Sequence, residues 1–300
     1  MKLLKPVTFV STMIIASNAT EAYAAWSAGT TYAKDAIVDY ETHYYISLVN
    51  SNTGNVPDAA GSTFWAFVSS DNKHAMFDRQ VSTQTTRSSS LSTTIQATPN
   101  YVDSIALLNI TGSEVQVVVT DNGASPPIYN QTFDLETSIV TNWYEYFFEP
   151  FIIEDQLIVT GLPLRENAQI RVTVNGTGTV GIGEFIFGSI YSLGEFGTEL
   201  GAQIGIIDYS RKDTDPDTGI VTFTERAYSK RMSATFYLEN TSLKATQKIL
   251  ADVRAVPSVY IGSDDPTYDP LVVYGFYRDF SIDISYPTRS LCRLEIEGLI

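Results

Sequence analysis

Histidine and cysteine are nearly missing from this chain of 300 residues, which holds only His43, His74 and Cys292. One cysteine can close no internal disulfide and build no cysteine-rich zinc centre. Cys292 falls in a strand-like run and reads as a buried small hydrophobe. Two histidines leave little with which to assemble a His-based triad or a His-rich metal centre. The chain also contains no GxSxG, P-loop, HExxH or dinucleotide fingerprint. Charge is scarce as well: 18% of residues are Asp, Glu, Lys or Arg, against a usual value of about 25%. The balance is acidic, with 34 Asp and Glu against 19 Lys and Arg for a net of -15. That sign repels phosphate backbones and anionic lipid, so neither nucleic acid nor a membrane surface is an expected partner. No apolar run approaches the roughly 18 to 20 residues that span a bilayer. The expectation is a non-enzymatic protein with no cofactor, no metal and no membrane insertion.

What the chain does have is 18 Tyr and 15 Phe, with many Val, Ile and Thr, a mixture that favours strands. The N-terminal MKLLKPVTFVSTMIIASNATEAYA has the outline of a secretory leader, ending in AYA with small Ala22 and Ala24 in an A-x-A pattern. Pro6, Thr8, Ser11 and Thr12 break its apolar middle, so residues 1–25 are expected to be a retained arm or strand, with no cleaved signal peptide. Residues 26–70 form a first small module, closed by Trp26 and Trp65 and carrying the loop signals SNTGNVPDAAG. So short a unit without a disulfide or metal needs support from something larger.

The run STQTTRSSSLSTT, Ser82 to Thr94, reads either as a linker or as an extended strand. Beyond it the two-residue period is plain. Val115, Val117 and Val119 alternate with Gln116, Val118 and Thr120, and Ile170, Val172 and Val174 alternate with Arg171, Thr173 and Asn175. Turn clusters at Asp121 and Asn175 separate such runs, and residues 71–188 are expected to be an antiparallel β-sandwich of jelly-roll type. Residues 189–300 are expected to be a β-barrel or sheet with one helix over 242–256. Leu243, Ala245, Thr246, Ile249, Leu250 and Val253 lie on one side of that helix, with an N-cap at Asn240 or Thr241 and a stop at Pro257. The fold class is therefore mainly β. Phe280, Ile282 and Ile284, and then Cys292, Leu294 and Ile296, mark two of its last strands.

Acidic motifs have plainer readings than catalytic ones. DTDPDTG, Asp213 to Gly219, invites calcium, but an EF-hand loop needs Gly at its sixth position and Glu at its twelfth, where Thr218 and Thr224 stand. A hairpin tip is the simpler account. Glu295 and Glu297 share the solvated side of a strand, and Glu145 and Glu149 in NWYEYFFEP read as part of a packed strand edge. Neither pair is marked as a glycosidase couple.

Two resemblances bear on function. Trp26, Tyr32, Asp35, Val38, Tyr40, Tyr45, Gly54, Pro57 and Trp65 resemble the small chitin- and cellulose-binding modules found at the ends of bacterial chitinases. The likeness implies sugar stacking on exposed rings, with Trp26, Tyr32 and Tyr44 as the candidate carbohydrate-binding residues and His43 as a further surface contact. SLVNSN, Ser47 to Asn52, lacks the aromatic residues that the resembled platform carries there. The second likeness covers the whole chain. AMFDRQVSTQT, GIIDYSRK, RAYSKRMSA and YGFYRDFSIDISYPTRSLCRLEIEGL, with the MKLLKP start, resemble a family of tailed-bacteriophage virion proteins. It implies a structural component of a phage tail, at the tail tip, baseplate or fibre attachment region. Such a protein is made in the host cytoplasm, assembles in several copies as a homo-oligomer, and contacts other tail or fibre proteins. The alternative is a host-attachment adhesin that grips surface polysaccharide through the 26–70 module.

Overall fold

The computed structural model describes residues 1–136, 143–148, 153–194, 197–214, 216–263, 265, 270–284 and 286–299. The protein is mainly β, and its long strands are joined in antiparallel ladders. The chain divides into two compact units, one made of Met1–Val7 with Phe187–Ile300 and the other of Thr8–Ile186. The division between the units falls inside the expected 1–25 arm, between Val7 and Thr8.

In the unit that holds both termini, strand Lys2–Pro6 is inserted between two partners. It pairs with residues 188–192, the end of strand Ala168–Ser192, and with strand Ser258–Ile261. From there the sheet continues through Val272–Asp283, Arg289–Gly298 and Tyr228–Glu239 to its edge at Gln203–Asp208. Leu3 is wholly buried in a core with Phe236, Leu250, Tyr260, Cys292 and Leu294. Alternation explains the choice of face: Cys292, Leu294 and Ile296 point inward while Arg293 and Glu295 point to solvent. At Gly188 the Lys2–Pro6 backbone comes so close that a Cβ would collide with the carbonyl of Lys5, so only glycine fits that position.

The helix of this unit runs over Leu243–Asp252, shorter at both ends than 242–256. Thr246, Leu250 and Val253 are buried, but Ala245 faces solvent. Ser242, not Asn240 or Thr241, occupies the N-cap. Asn240 is spent elsewhere, its amide donating to the carbonyls of Tyr286 and Pro287. The last helical turn closes well before Pro257, and Ala255 adopts a positive φ of 58°.

In the Thr8–Ile186 unit, strand Thr85–Gln96 pairs with Ile14–Ser17 and with the 169–182 part of Ala168–Ser192. The STQTTRSSSLSTT run is thus a strand and not a linker. Strand Glu114–Asp121 pairs with residues 168–175 and with Tyr129–Asp134, and Gln156–Thr160 pairs with Ser104–Thr111. Val115, Val117, Val119, Ile170, Val172 and Val174 are all buried, as their period requires. The segment WYEYFF departs from the strand expectation and forms a short helix, Trp143–Phe148. Its Trp143 and Phe147 rings stack four residues apart, 6.3 Å between centroids, a spacing that a helix brings together and a strand does not. Glu149 lies outside the described residues.

Candidate functional site

The aromatic module of the same unit is built on a sheet of strands Ile37–Tyr40, His43–Ser47 and Trp65–Ser70, with a second small pair, Thr31–Tyr32 and Asn52–Thr53. Side chains alternate across this sheet, so adjacent Tyr44 and Tyr45 go to opposite faces. Tyr44 points inward and is 7% exposed. Its hydroxyl donates to Glu21 Oε2 at 2.5 Å and accepts the backbone N–H groups of Ala22 and Asn72, both at 3.1 Å. Burial, and then the bond to Glu21, push the phenol up to about 12.

The other two candidate rings are engaged within the module. Trp26 sits edge-on to Tyr40 at 5.5 Å, and Tyr32 edge-on to Trp65 at 5.3 Å. The Tyr32 hydroxyl accepts the Ser27 N–H at 2.8 Å. The structure therefore does not bring Trp26, Tyr32 and Tyr44 together as one platform. SLVNSN has a structural task of its own: Ser47 and Asn52 are buried, and the Asn52 amide donates to Ser47 Oγ at 3.0 Å and to the Phe64 carbonyl.

The aromatic surface lies on the opposite face from Tyr44. His43, Tyr45 and Phe67 contact one another edge-to-face, with centroids 5.3 to 6.3 Å apart, and Tyr40 joins them through Tyr45 at 6.4 Å. Phe67 is the most open of these rings, at 60% exposure. The sequence does not single it out; its place on this face comes from its pairing with Tyr45, beyond which the register shifts so that Ser69 lies opposite Tyr44. Beside this face opens a cleft of about 450 Å³ lined by His43, Phe67, His74, Phe77 and Asp78 among others. The Phe9 and Phe77 rings stack there at 4.1 Å. Burial raises the Asp78 carboxyl above its ordinary value. His74 Nδ1 is turned away to Asp71, 2.7 Å from Oδ1 and 2.8 Å from Oδ2.

Behind the sheet, Glu21, Asp39 and Asp71 each bring a carboxylate oxygen within 4.8 Å of the others. Asp39 is pushed up to about 6, first by burial and then by the negative charges of Asp71 and Glu21, with His74 acting in the opposite direction. The DTDPDTG stretch gathers no such cluster among the described residues. It lies at the end of a hairpin whose strands are Arg211–Thr214 and Val221–Thr224, and Asp213 is paired with Arg211 at 2.9 Å.

A different kind of surface lies in the unit that holds the termini. Strand Gln203–Asp208 pairs with Tyr228–Glu239 and, among the described residues, ends the sheet. Ile206 on that edge is 63% exposed, and Phe223 on the hairpin is 72% exposed. An edge of this kind leaves backbone N–H and C=O groups unpaired and can accept another strand.

No family model matches the chain, and no match was found among curated proteins.

Proposed function

We propose that the protein is a non-enzymatic structural component of a tailed-bacteriophage virion. It sits at the tail tip, baseplate or fibre attachment region and is held there, in several copies, by contacts with other tail or fibre proteins. The observation that carries this reading is the open sheet edge Gln203–Asp208 with Ile204 and Ile206 facing solvent, next to a hairpin that exposes Ile220 and Phe223. Apolar side chains on an unpaired edge suit a protein interface far better than a solvated surface. The full-length likeness to tail proteins, in GIIDYSRK and RAYSKRMSA among other stretches, names the kind of assembly, and GIIDYSRK overlaps that edge strand. An antibody to this chain should label the tail in electron micrographs of purified virions. Virions without the chain would remove the proposal.

The second reading, a host-surface carbohydrate adhesin, is favoured by the outward face of His43, Tyr45 and Phe67 and not by Tyr44, which is buried. On a glycan array Phe67→Ala should weaken any signal, because a pyranose stacks on an exposed ring. Tyr44→Phe should leave it unchanged.

A further inference from the structure

Three elements of the Thr8–Ile186 unit meet at Asp39. The 18–25 segment supplies Glu21, strand Ile37–Tyr40 supplies Asp39, and the turn over 71–77 supplies Asp71 and His74. Donors are shared unevenly among the three carboxylates. Glu21 accepts from the Tyr44 hydroxyl and from the backbone N–H groups of Asn72 and Lys73. Asp71 accepts from the His74 backbone N–H and faces His74 Nδ1. Asp39 Oδ1 is buried and has no hydrogen-bond partner among the described residues. An ionised oxygen in that position lacks a donor and stands beside two like charges, a costly arrangement on both counts. A proton relieves both: it removes one charge and supplies an O–H at Asp39.

We infer that Asp39 is a proton-operated latch, which joins the 18–25 segment, the module sheet and the 71–77 turn while protonated and loosens that junction when it ionises. The groups that face it are Glu21 and Asp71, which oppose ionisation, and His74, which favours it. Tyr44 contributes no charge, and its hydroxyl proton is committed to Glu21. The direction with pH follows from the raised value of about 6 against an ordinary 3.8. Between those values the folded chain holds a proton that the unfolded chain has released, so stability falls as pH rises through that window and stays low above it. The latch goes beyond the structural role proposed above and does not depend on where the protein sits in a particle.

Two measurements on the full chain test it. A carbon-13 titration of the Asp39 carboxyl should show a midpoint near 6, and a midpoint near the ordinary value would overturn the latch. Thermal unfolding of wild type and Asp39→Asn should be compared at about pH 4.5 and about pH 7.5, since the amide keeps a donor in place at every pH. The melting temperature of the variant relative to wild type should rise by about 3 °C or more between the two conditions, as expected for roughly 1 kcal/mol in a unit of this size. An equal difference at both pH values would overturn the latch. It would also be overturned, in favour of a bound cation, if millimolar calcium at the higher pH raised the wild-type melting temperature by the same amount and left Asp39→Asn unmoved. Should Asp39→Asn fail to fold, the wild-type carboxyl titration decides alone.

Discussion

Tyr44 and Tyr45 are adjacent, chemically identical and opposite in fate. Tyr45 is part of the outward aromatic face, while Tyr44 closes the module against Glu21 and Asn72. Their type and spacing establish that one ring points in and the other out, but not which, because that depends on where the 18–25 segment packs. Tyr44→Phe keeps the ring and removes a hydroxyl that makes one donated and two accepted bonds. It should cost about 1 to 3 kcal/mol in urea unfolding, since Glu21 loses a donor in a part-buried site. Cys292 was easier to read, because its alternation with Arg293 is enough to place it inside. Burial pushes its thiol up to about 12, so the reactive thiolate is scarce at neutral pH. A disulfide reagent should label almost none of the native protein and one thiol per chain in denaturant. Rapid labelling of the folded chain would contradict the buried placement.

At the scale of elements, periodicity was a sound guide where one face is buried and a poor one where burial is absent. The strands containing Val115 to Val119 and Ile170 to Val174 follow their two-residue period into the core. WYEYFF carries no usable period, since nearly every position is aromatic, and β propensity pointed to a strand where the chain forms a short helix. There the rings of Trp143 and Phe147 meet at helical spacing. The helix Leu243–Asp252 was visible from its wheel, but its ends were not. Asn240 had the right chemistry for a cap and was claimed instead by the carbonyls of Tyr286 and Pro287, a contact that no local pattern encodes. Leu250, on the inner face of this helix, is wholly buried. Leu250→Ala should therefore destabilise by about 2 to 5 kcal/mol. The edge strand gives the opposite expectation. Ile206→Lys touches no core, so stability should stay within about 0.5 kcal/mol. A charge on an open edge blocks strand addition, so on the tail role proposed above incorporation of the chain into virions should drop several-fold.

The organisation of the whole chain was the least legible feature. Fold class could be read from composition and alternation, because both are local. The destination of Met1–Val7 could not, because strand Lys2–Pro6 pairs with residues 188–192 and 259–261, far along the sequence. The resulting arrangement is nested: Thr8–Ile186 is an insertion within the unit formed by the two ends. Such nesting makes an asymmetric prediction for fragments. A fragment of residues 8–186 keeps its own paired strands and core valines, and should unfold in a single cooperative transition. A fragment of residues 187–300 lacks the strand that joins residues 188–192 to Ser258–Ile261, exposing two unpaired strand edges and a hole in the core that Leu3 shares with Tyr260 and Leu294. It should be poorly soluble or loosely folded, with weak near-ultraviolet dichroism. Fusing residues 1–7 to its N-terminus through a flexible linker should restore a cooperative transition. Gly188→Val in the fused fragment should abolish the rescue, since a side chain there meets the Lys5 carbonyl. If residues 187–300 fold as well without residues 1–7 as with them, the first strand is an accessory and not the keystone of that sheet.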